Sequence, residues 1–175
     1  IHVEQLLYCR PDRTALGSEG DHPAFFEGVS QFYSYVFDGR INQIMRCVFD
    51  VLSETLHNQY KIMMYMNFTD FSRYQHCENT YWGYIEHYDA VTNIVLTNQD
   101  HPMEKASVQI LASYLDADTK WGLWNGFSSR PMMPIAMKML FSRTPLKEDL
   151  ELVKKLKVSK EDIRLLKLYN MLSVT

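Results

Sequence analysis

The chain has 175 residues and a mass of 20.6 kDa, and its 46% apolar and 13% aromatic residues exclude a disordered or collagen-like chain. Seven Gly and six Pro are few, which excludes a Gly-rich β-propeller and favours a packed helical domain. The net charge of −3 gives no overall attraction to nucleic acid or anionic lipid, and no apolar run reaches the roughly 20 residues of a membrane-spanning helix.

The first 22 residues (1–22) predict a short N-terminal helix followed by a loop. The loop is indicated by residues 10–22, which are rich in Gly, Pro and charged residues.

Residues 23–143 predict the main helical body. Apolar side chains recur at steps of three and four residues over 25–37, 41–56 and 80–97, which is the period of an amphipathic helix. The short apolar run 60–68 fits a buried helix or a buried strand, and its three Met favour a helix.

Residues 144–175 predict a C-terminal helical hairpin in the same domain. Thr144 precedes Pro145, as an N-cap precedes the first residue of a helix, and Ser159 with Asp162 resembles a capping box. Together the segments predict an all-α, compact multi-helix domain of about seven or eight helices.

The three cysteines, Cys9, Cys47 and Cys77, are an odd number and lack CxxC spacing. This argues against a disulfide framework and against a structural zinc site. We therefore predict free thiols in an intracellular, reducing compartment.

One segment matches part of the ligand pattern of carboxylate-bridged di-iron bundles, which need a Glu on each of two helices and Glu-x-x-His on two more. Glu54 and His57 supply one Glu-x-x-His, and Glu27 and Glu86 lie one helix and turn to either side. No second Glu-x-x-His follows. We predict no metal site and no cofactor, and these four residues are the candidate ligands if a site exists.

His76, Cys77 and Glu78 combine a thiol with possible bases. A nucleophilic Cys needs a lowered pKa and a base close in space, which a sequence does not show. The three residues also fit a loop, so their role stays open.

The sequence lacks the motifs of nucleotide-binding, serine-hydrolase and zinc-protease sites, which favours a non-enzymatic protein.

The segment 119–141 has features of a protein interface. Its Trp, Phe and Met side chains are interrupted by Gly and Pro, so one helical stripe cannot bury them all. Trp and Met are typical anchors of protein contacts. The predicted interface residues are Trp121, Trp124, Phe127, Met132 and Met133.

A second aromatic group lies at Tyr81, Trp82, Tyr84 and Tyr88. Acidic neighbours such as Glu86 argue against base stacking and favour a core or a protein interface.

Charge is unevenly distributed. Residues 1–140 contain 10 basic and 16 acidic residues, whereas residues 141–175 contain 8 basic and 5 acidic ones. The basic C-terminal segment fits a solvated helical face, or a contact with an acidic partner or a phosphate backbone.

The second half of the chain carries Asn93-x-x-Leu96-Thr97, then Leu115-Asp116 followed by Trp121, and a closing helix pair over 149–172. In these elements it resembles the small, non-ATPase subunit of the sliding-clamp loader of T-even-type phages. The resemblance implies a helical adaptor that bridges ATPase subunits and has no chemistry of its own.

The function that we predict from the sequence is a non-enzymatic helical subunit that acts through protein–protein contacts in a larger assembly. Its partners are other protein subunits, and it contacts nucleic acid only indirectly if at all. One alternative is a DNA replication accessory subunit of the clamp-loader type. The other is a di-iron carboxylate oxidase or hydroxylase with an incomplete ligand set.

Overall fold

The structure, a computed structural model, describes residues 24–111, 117–128 and 131–174. Within these ranges the chain forms eight antiparallel strands, each paired with its neighbours in sequence, and the last strand pairs with the first to close a barrel. The strands are β1 (Gln31–Asp38), β2 (Gln43–Leu56), β3 (Gln59–Phe68), β4 (Cys77–Tyr88), β5 (Val91–Asn98), β6 (Lys105–Leu111), β7 (Thr119–Ser128) and β8 (Met133–Ser142). They are followed by the helices α1 (Leu150–Leu156) and α2 (Lys160–Tyr169). The predicted N-terminal helix and loop over 1–22 lie outside the described residues.

The all-α prediction is wrong, because several strands are apolar on both faces. In β1, Phe32 and Val36 belong to the core inside the barrel, while Tyr33 and Tyr35 belong to a second cluster on its outer side. A strand that is apolar on both faces loses its polar–apolar alternation, and its apolar spacing then also fits the helical period. The ambiguous run 60–68 is likewise a strand, β3, and not the predicted helix.

Asn and Asp residues in left-handed backbone conformations help to turn the chain between strands. Asn58 lies between β2 and β3 with φ at 61°, and Asp89 lies between β4 and β5 with φ at 55°. These residue types tolerate the left-handed region because their short side chains can hydrogen-bond locally. At the end of β1, the Asp38 carboxylate accepts hydrogen bonds from Arg40 N at 2.9 Å and from Arg40 Nε at 3.0 Å.

Large aromatic side chains fill part of the barrel interior. The rings of Phe32 and Phe49 stack with their centroids 4.6 Å apart, and Phe141 tilts against both. Phe25, from the segment that precedes β1, meets the edges of Phe32 and Phe141, and Phe26 is buried beside it. The interior at this level is therefore closely packed side chains, as in a protein core.

α1 covers the seam where β1 meets β8. Its residues Leu152 and Leu156 are buried against Tyr35 and Leu140. The Tyr35 hydroxyl accepts a hydrogen bond from Leu146 N at 2.9 Å, and burial raises the pKa of this tyrosine. The seam has three residue pairs, whereas β1 and β2 share eight.

Of the two predicted helix starts, one is confirmed and one is wrong. Ser159 is the N-cap of α2, with the full capping box to Asp162. Thr144 is not an N-cap, because α1 begins at Leu150 with Asp149 as its cap. The link before α1 is instead fixed to the barrel by hydrogen bonds of its backbone, such as that from Ser142 Oγ to the Thr144 carbonyl at 2.6 Å.

Replacing Ser159 by Ala should lower the local stability of α2 by about 1 kcal/mol. The Ser159 hydroxyl accepts the Asp162 N–H at 3.0 Å, and the Asp162 carboxylate accepts the Ser159 N–H at 2.7 Å. Hydrogen exchange of the α2 amides measures the loss directly. Thr144→Ala is the control and should leave α2 exchange unchanged. Equal protection of α2 in Ser159→Ala and in the original chain would contradict the prediction.

Candidate contact surfaces

The four candidate metal ligands are all exposed on the surface: Glu27, Glu54, His57 and Glu86. Glu54 lies on a strand and His57 in the following turn, so the i, i+3 relation no longer places them on one helical face. The Glu54 carboxylate instead accepts a hydrogen bond from Asn58 N at 3.3 Å. Among the described residues, no three His, Cys, Asp or Glu side chains come together in a group that could hold a metal ion.

His76 precedes β4, and Cys77 and Glu78 begin it. The Cys77 sulfur lies 3.3 Å from Thr80 Oγ1 and 3.2 Å from a backbone carbonyl, and the Glu78 carboxylate accepts a hydrogen bond from Asn67 Nδ2 at 2.6 Å. The Glu78 contact attaches the start of β4 to β3, whereas the Cys77 contacts stay within β4. In them the thiol meets a hydroxyl and a carbonyl, and neither group is the base that a nucleophilic thiol needs.

Cys47 lies inside the barrel and is 1% exposed. Burial raises its pKa to about 12, against a smaller opposite effect of the Ser34 hydroxyl beside it. Ser34 is fully buried and makes no hydrogen bond of regular geometry. A thiol with so high a pKa stays protonated at neutral pH, so Cys47 is a core residue and not a nucleophile.

The predicted interface residues lie in different environments. Trp124 is 1% exposed inside the barrel, where its ring meets the Tyr81 ring edge-on with the centroids 5.8 Å apart. Trp121 is half-buried on the outer side of the same strand, with Lys138 Nζ 4.9 Å from its ring centroid. A partner on the surface therefore cannot reach Trp124. The exposed members of the set are Phe127, Met132 and Met133.

Four side chains of β3, β4 and β5 form a patch on the outside of the barrel, which we call the aromatic face: Met63, Trp82, Tyr84 and Val95. Trp82 pairs with Met63, and Tyr84 pairs with Val95. The Trp82 and Tyr84 rings meet edge-on with their centroids 6.4 Å apart. Trp82 is 40% exposed, Tyr84 39% and Val95 55%. The aromatic face is thus an apolar patch open to solvent, with the exposed Lys61 at its edge beside Tyr84.

Sequence reasoning placed Tyr81 together with Trp82 and Tyr84, but the structure separates them. Tyr81 faces the core, while the other two lie outside. The signal that could have found this division is the strict alternation of buried and exposed residues over 81–86. Met63 and Val95 were missed, because only the pairing of neighbouring strands brings them to the patch.

A second exposed apolar surface lies on α2, which has no buried residue. Ile163, Leu166 and Tyr169 follow each other at three-residue steps and so form one stripe, the outer stripe of α2. They are 44%, 43% and 53% exposed. Leu165 on α2 is half-buried and Asp162 contacts Lys138 of the barrel, so the helix meets the rest of the chain through these two residues.

An ion pair attaches the first turn of α2 to the barrel. Lys138 Nζ on β8 lies 2.6 Å from Asp162 Oδ2. Partial burial by itself raises the pKa of Asp162, but the hydrogen bonds from Lys138 and Ser159 outweigh it, and the pKa is lowered overall. A polar contact therefore anchors the start of α2, while the apolar outer stripe stays uncovered.

The chain matches no known family model, no curated protein and no solved structure. The residues that carry the clamp-loader resemblance lie in β5, β7 and the two helices, except Leu115 and Asp116, which fall outside the described residues. The resemblance stays a prediction. In the described part of the chain, neither helix combines the length and the apolar character needed to cross a membrane.

Proposed function

We propose that this chain is a non-enzymatic subunit that acts through contacts with other proteins in a larger assembly. The observation that carries the proposal is the exposed outer stripe of α2. A ten-residue helix is marginal in water by itself, because most helical stability in proteins comes from packing an apolar face. A partner that covers Ile163, Leu166 and Tyr169 supplies that packing.

The charges beside the outer stripe define the kind of partner. Lys160 lies three residues before Ile163 and Lys167 four residues after it, so both lie beside Ile163 along one side of the stripe, and both are exposed. Arg164 is paired with Glu161 at 2.6 Å. The partner surface that fits is an apolar groove with an acidic rim, as in other cases where a protein binds an amphipathic helix in a groove.

The free thiols of Cys47 and Cys77 support placing this subunit in an intracellular, reducing compartment. Nucleic acid enters the proposal only through such a partner, because the outer stripe is apolar at its centre.

The double variant Ile163→Ser, Leu166→Ser should weaken partner binding more than tenfold, because each anchor lost from the centre of an interface costs more than ~1 kcal/mol. The two side chains are exposed, so the fold should be retained, as circular dichroism and thermal unfolding can verify. The measurement is capture of proteins on the immobilised full chain from an extract of its source cells, quantified against the unsubstituted chain.

Leu168→Ser is the matched control, since Leu168 is exposed on the same helix but outside the outer stripe. It should capture the same partner as the unsubstituted chain. Undiminished capture by the double variant would contradict the proposed function. A captured partner that hydrolyses ATP would support the clamp-loader alternative.

A further inference from the structure

The aromatic face stays open while other parts of the barrel surface are covered. α1 packs over the seam of β1 and β8. Near the start of β4, Phe71 packs edge-on against Tyr33 and Phe68, and Tyr74 OH donates to the Asp50 carboxylate at 3.0 Å. Nothing comparable in the described ranges lies over Trp82, Tyr84 and Val95, which are all exposed.

Two opposite charges are placed symmetrically around Val95, the member of the aromatic face that lies on β5. Val95 pairs with Tyr84 on β4 and with Ser107 on β6. Glu86 lies two residues beyond Tyr84, and Lys105 lies two residues before Ser107. The pairing of Glu86 with Asn93 and of Lys105 with Thr97 puts them at opposite ends of the patch. Each lies one strand across and two residues along from Val95. The strand spacing and the rise per residue put that distance at about 8 Å.

This arrangement is complementary to itself. Consider a second copy that faces the patch, related to the first by a two-fold axis that lies in the plane of the contact. If this axis passes over Val95 and is perpendicular to the line from Glu86 to Lys105, each Glu86 meets the Lys105 of the other copy. Both side chains belong to exposed residues. Lys105 Nζ donates one hydrogen bond, to Thr97 Oγ1 at 3.0 Å, and an ammonium group has three donors. Glu86 Oε2 accepts one hydrogen bond, from Gln59 Nε2 at 3.4 Å, and a carboxylate can accept several.

We propose that the aromatic face is the contact between two copies of this chain in solution, with two Glu86–Lys105 ion pairs on either side of an apolar centre. An isologous contact of this kind is the commonest way in which identical chains associate. Tyr84, directly opposite Val95, and Trp82, two residues along the same strand, are of the residue types enriched among the strongest contributors to binding. The ion pairs at the rim set the orientation of the two copies.

Charge reversal tests the proposal on the full chain. Sedimentation velocity of the unsubstituted chain should give a mass of twice 20.6 kDa at concentrations of about 100 µM. Glu86→Lys and Lys105→Glu should each weaken dimerisation at least tenfold. Each substitution turns both ion pairs of the dimer into pairs of like charges. The double variant Glu86→Lys, Lys105→Glu should restore the dimer, because it exchanges the two signs.

Two controls keep this result separate from the function proposed above. Glu54→Lys reverses an exposed charge outside the aromatic face and should leave the dimer intact. Ile163→Ser with Leu166→Ser changes only the outer stripe of α2 and should dimerise normally. A monomeric unsubstituted chain, single reversals that dimerise as strongly as the unsubstituted chain, or a double variant as weak as the single ones would overturn the proposal.

Discussion

Gly83→Ala should destabilise the barrel by at least about 3 kcal/mol and prevent much of the chain from folding. A Cβ atom on Gly83 would lie 1.8 Å from the Val95 carbonyl oxygen and 2.9 Å from its carbonyl carbon. Both are backbone atoms of the neighbouring strand, which cannot move away without breaking the ladder between β4 and β5. Urea unfolding followed by circular dichroism measures the loss.

Gly39→Ala is the matched control for this substitution. A Cβ on Gly39 meets nothing within 4 Å, so the variant should unfold at nearly the same urea concentration as the unsubstituted chain. If Gly83→Ala and Gly39→Ala unfolded together, the close approach of β4 to β5 would be refuted.

Trp124→Ala should lower the free energy of unfolding by about 3–5 kcal/mol, because it empties a large volume in a packed interior. Trp124→Phe should cost less than half of that. The ring volume is mostly retained, and the indole N–H that is lost has no hydrogen-bond partner. Urea unfolding of both variants provides the comparison.

Trp82→Ala serves as the control for Trp124→Ala, since Trp82 is 40% exposed on the outside of the barrel. It should change the stability of the monomer by much less. Equal losses for Trp82→Ala and Trp124→Ala would mean that Trp124 does not lie in the core. A smaller loss for Trp124→Ala than for Trp124→Phe would contradict the cavity argument.

Local signals in the sequence were sufficient for some elements and not for others. The capping box at Ser159 was predicted because its two hydrogen bonds join residues three apart. β6 could have been predicted as well, since Lys105, Ser107 and Gln109 alternate with buried apolar residues. β1 offers no such pattern, because its outer side is covered by α1, which lies over 100 residues later in the chain.

The contact surfaces were predictable only where they depend on local signals in the sequence, and not where they depend on contacts between distant segments. The helix that carries Ile163 and Leu166 was placed correctly, but whether its apolar residues find a partner within the chain depends on tertiary packing. The sequence predicts Trp124 as a surface anchor because nothing local identifies its strand or shows that its side chain points into the barrel. The aromatic face depends on the pairing of β3, β4 and β5, which no segment encodes alone.

The short seam between β1 and β8 bears on how the chain is made in the cell. Of the described strands, β1 is translated first and β2 follows it directly, whereas the partner of its other edge, residues 140–142 of β8, is translated last. Each further hairpin extends the nascent sheet while two edges remain open, and open edges pair readily with other chains. Closure therefore has to wait for β8 and completes the barrel itself. The next segment to emerge, α1, holds the newly joined strands together by burying Leu152 and Leu156 over them.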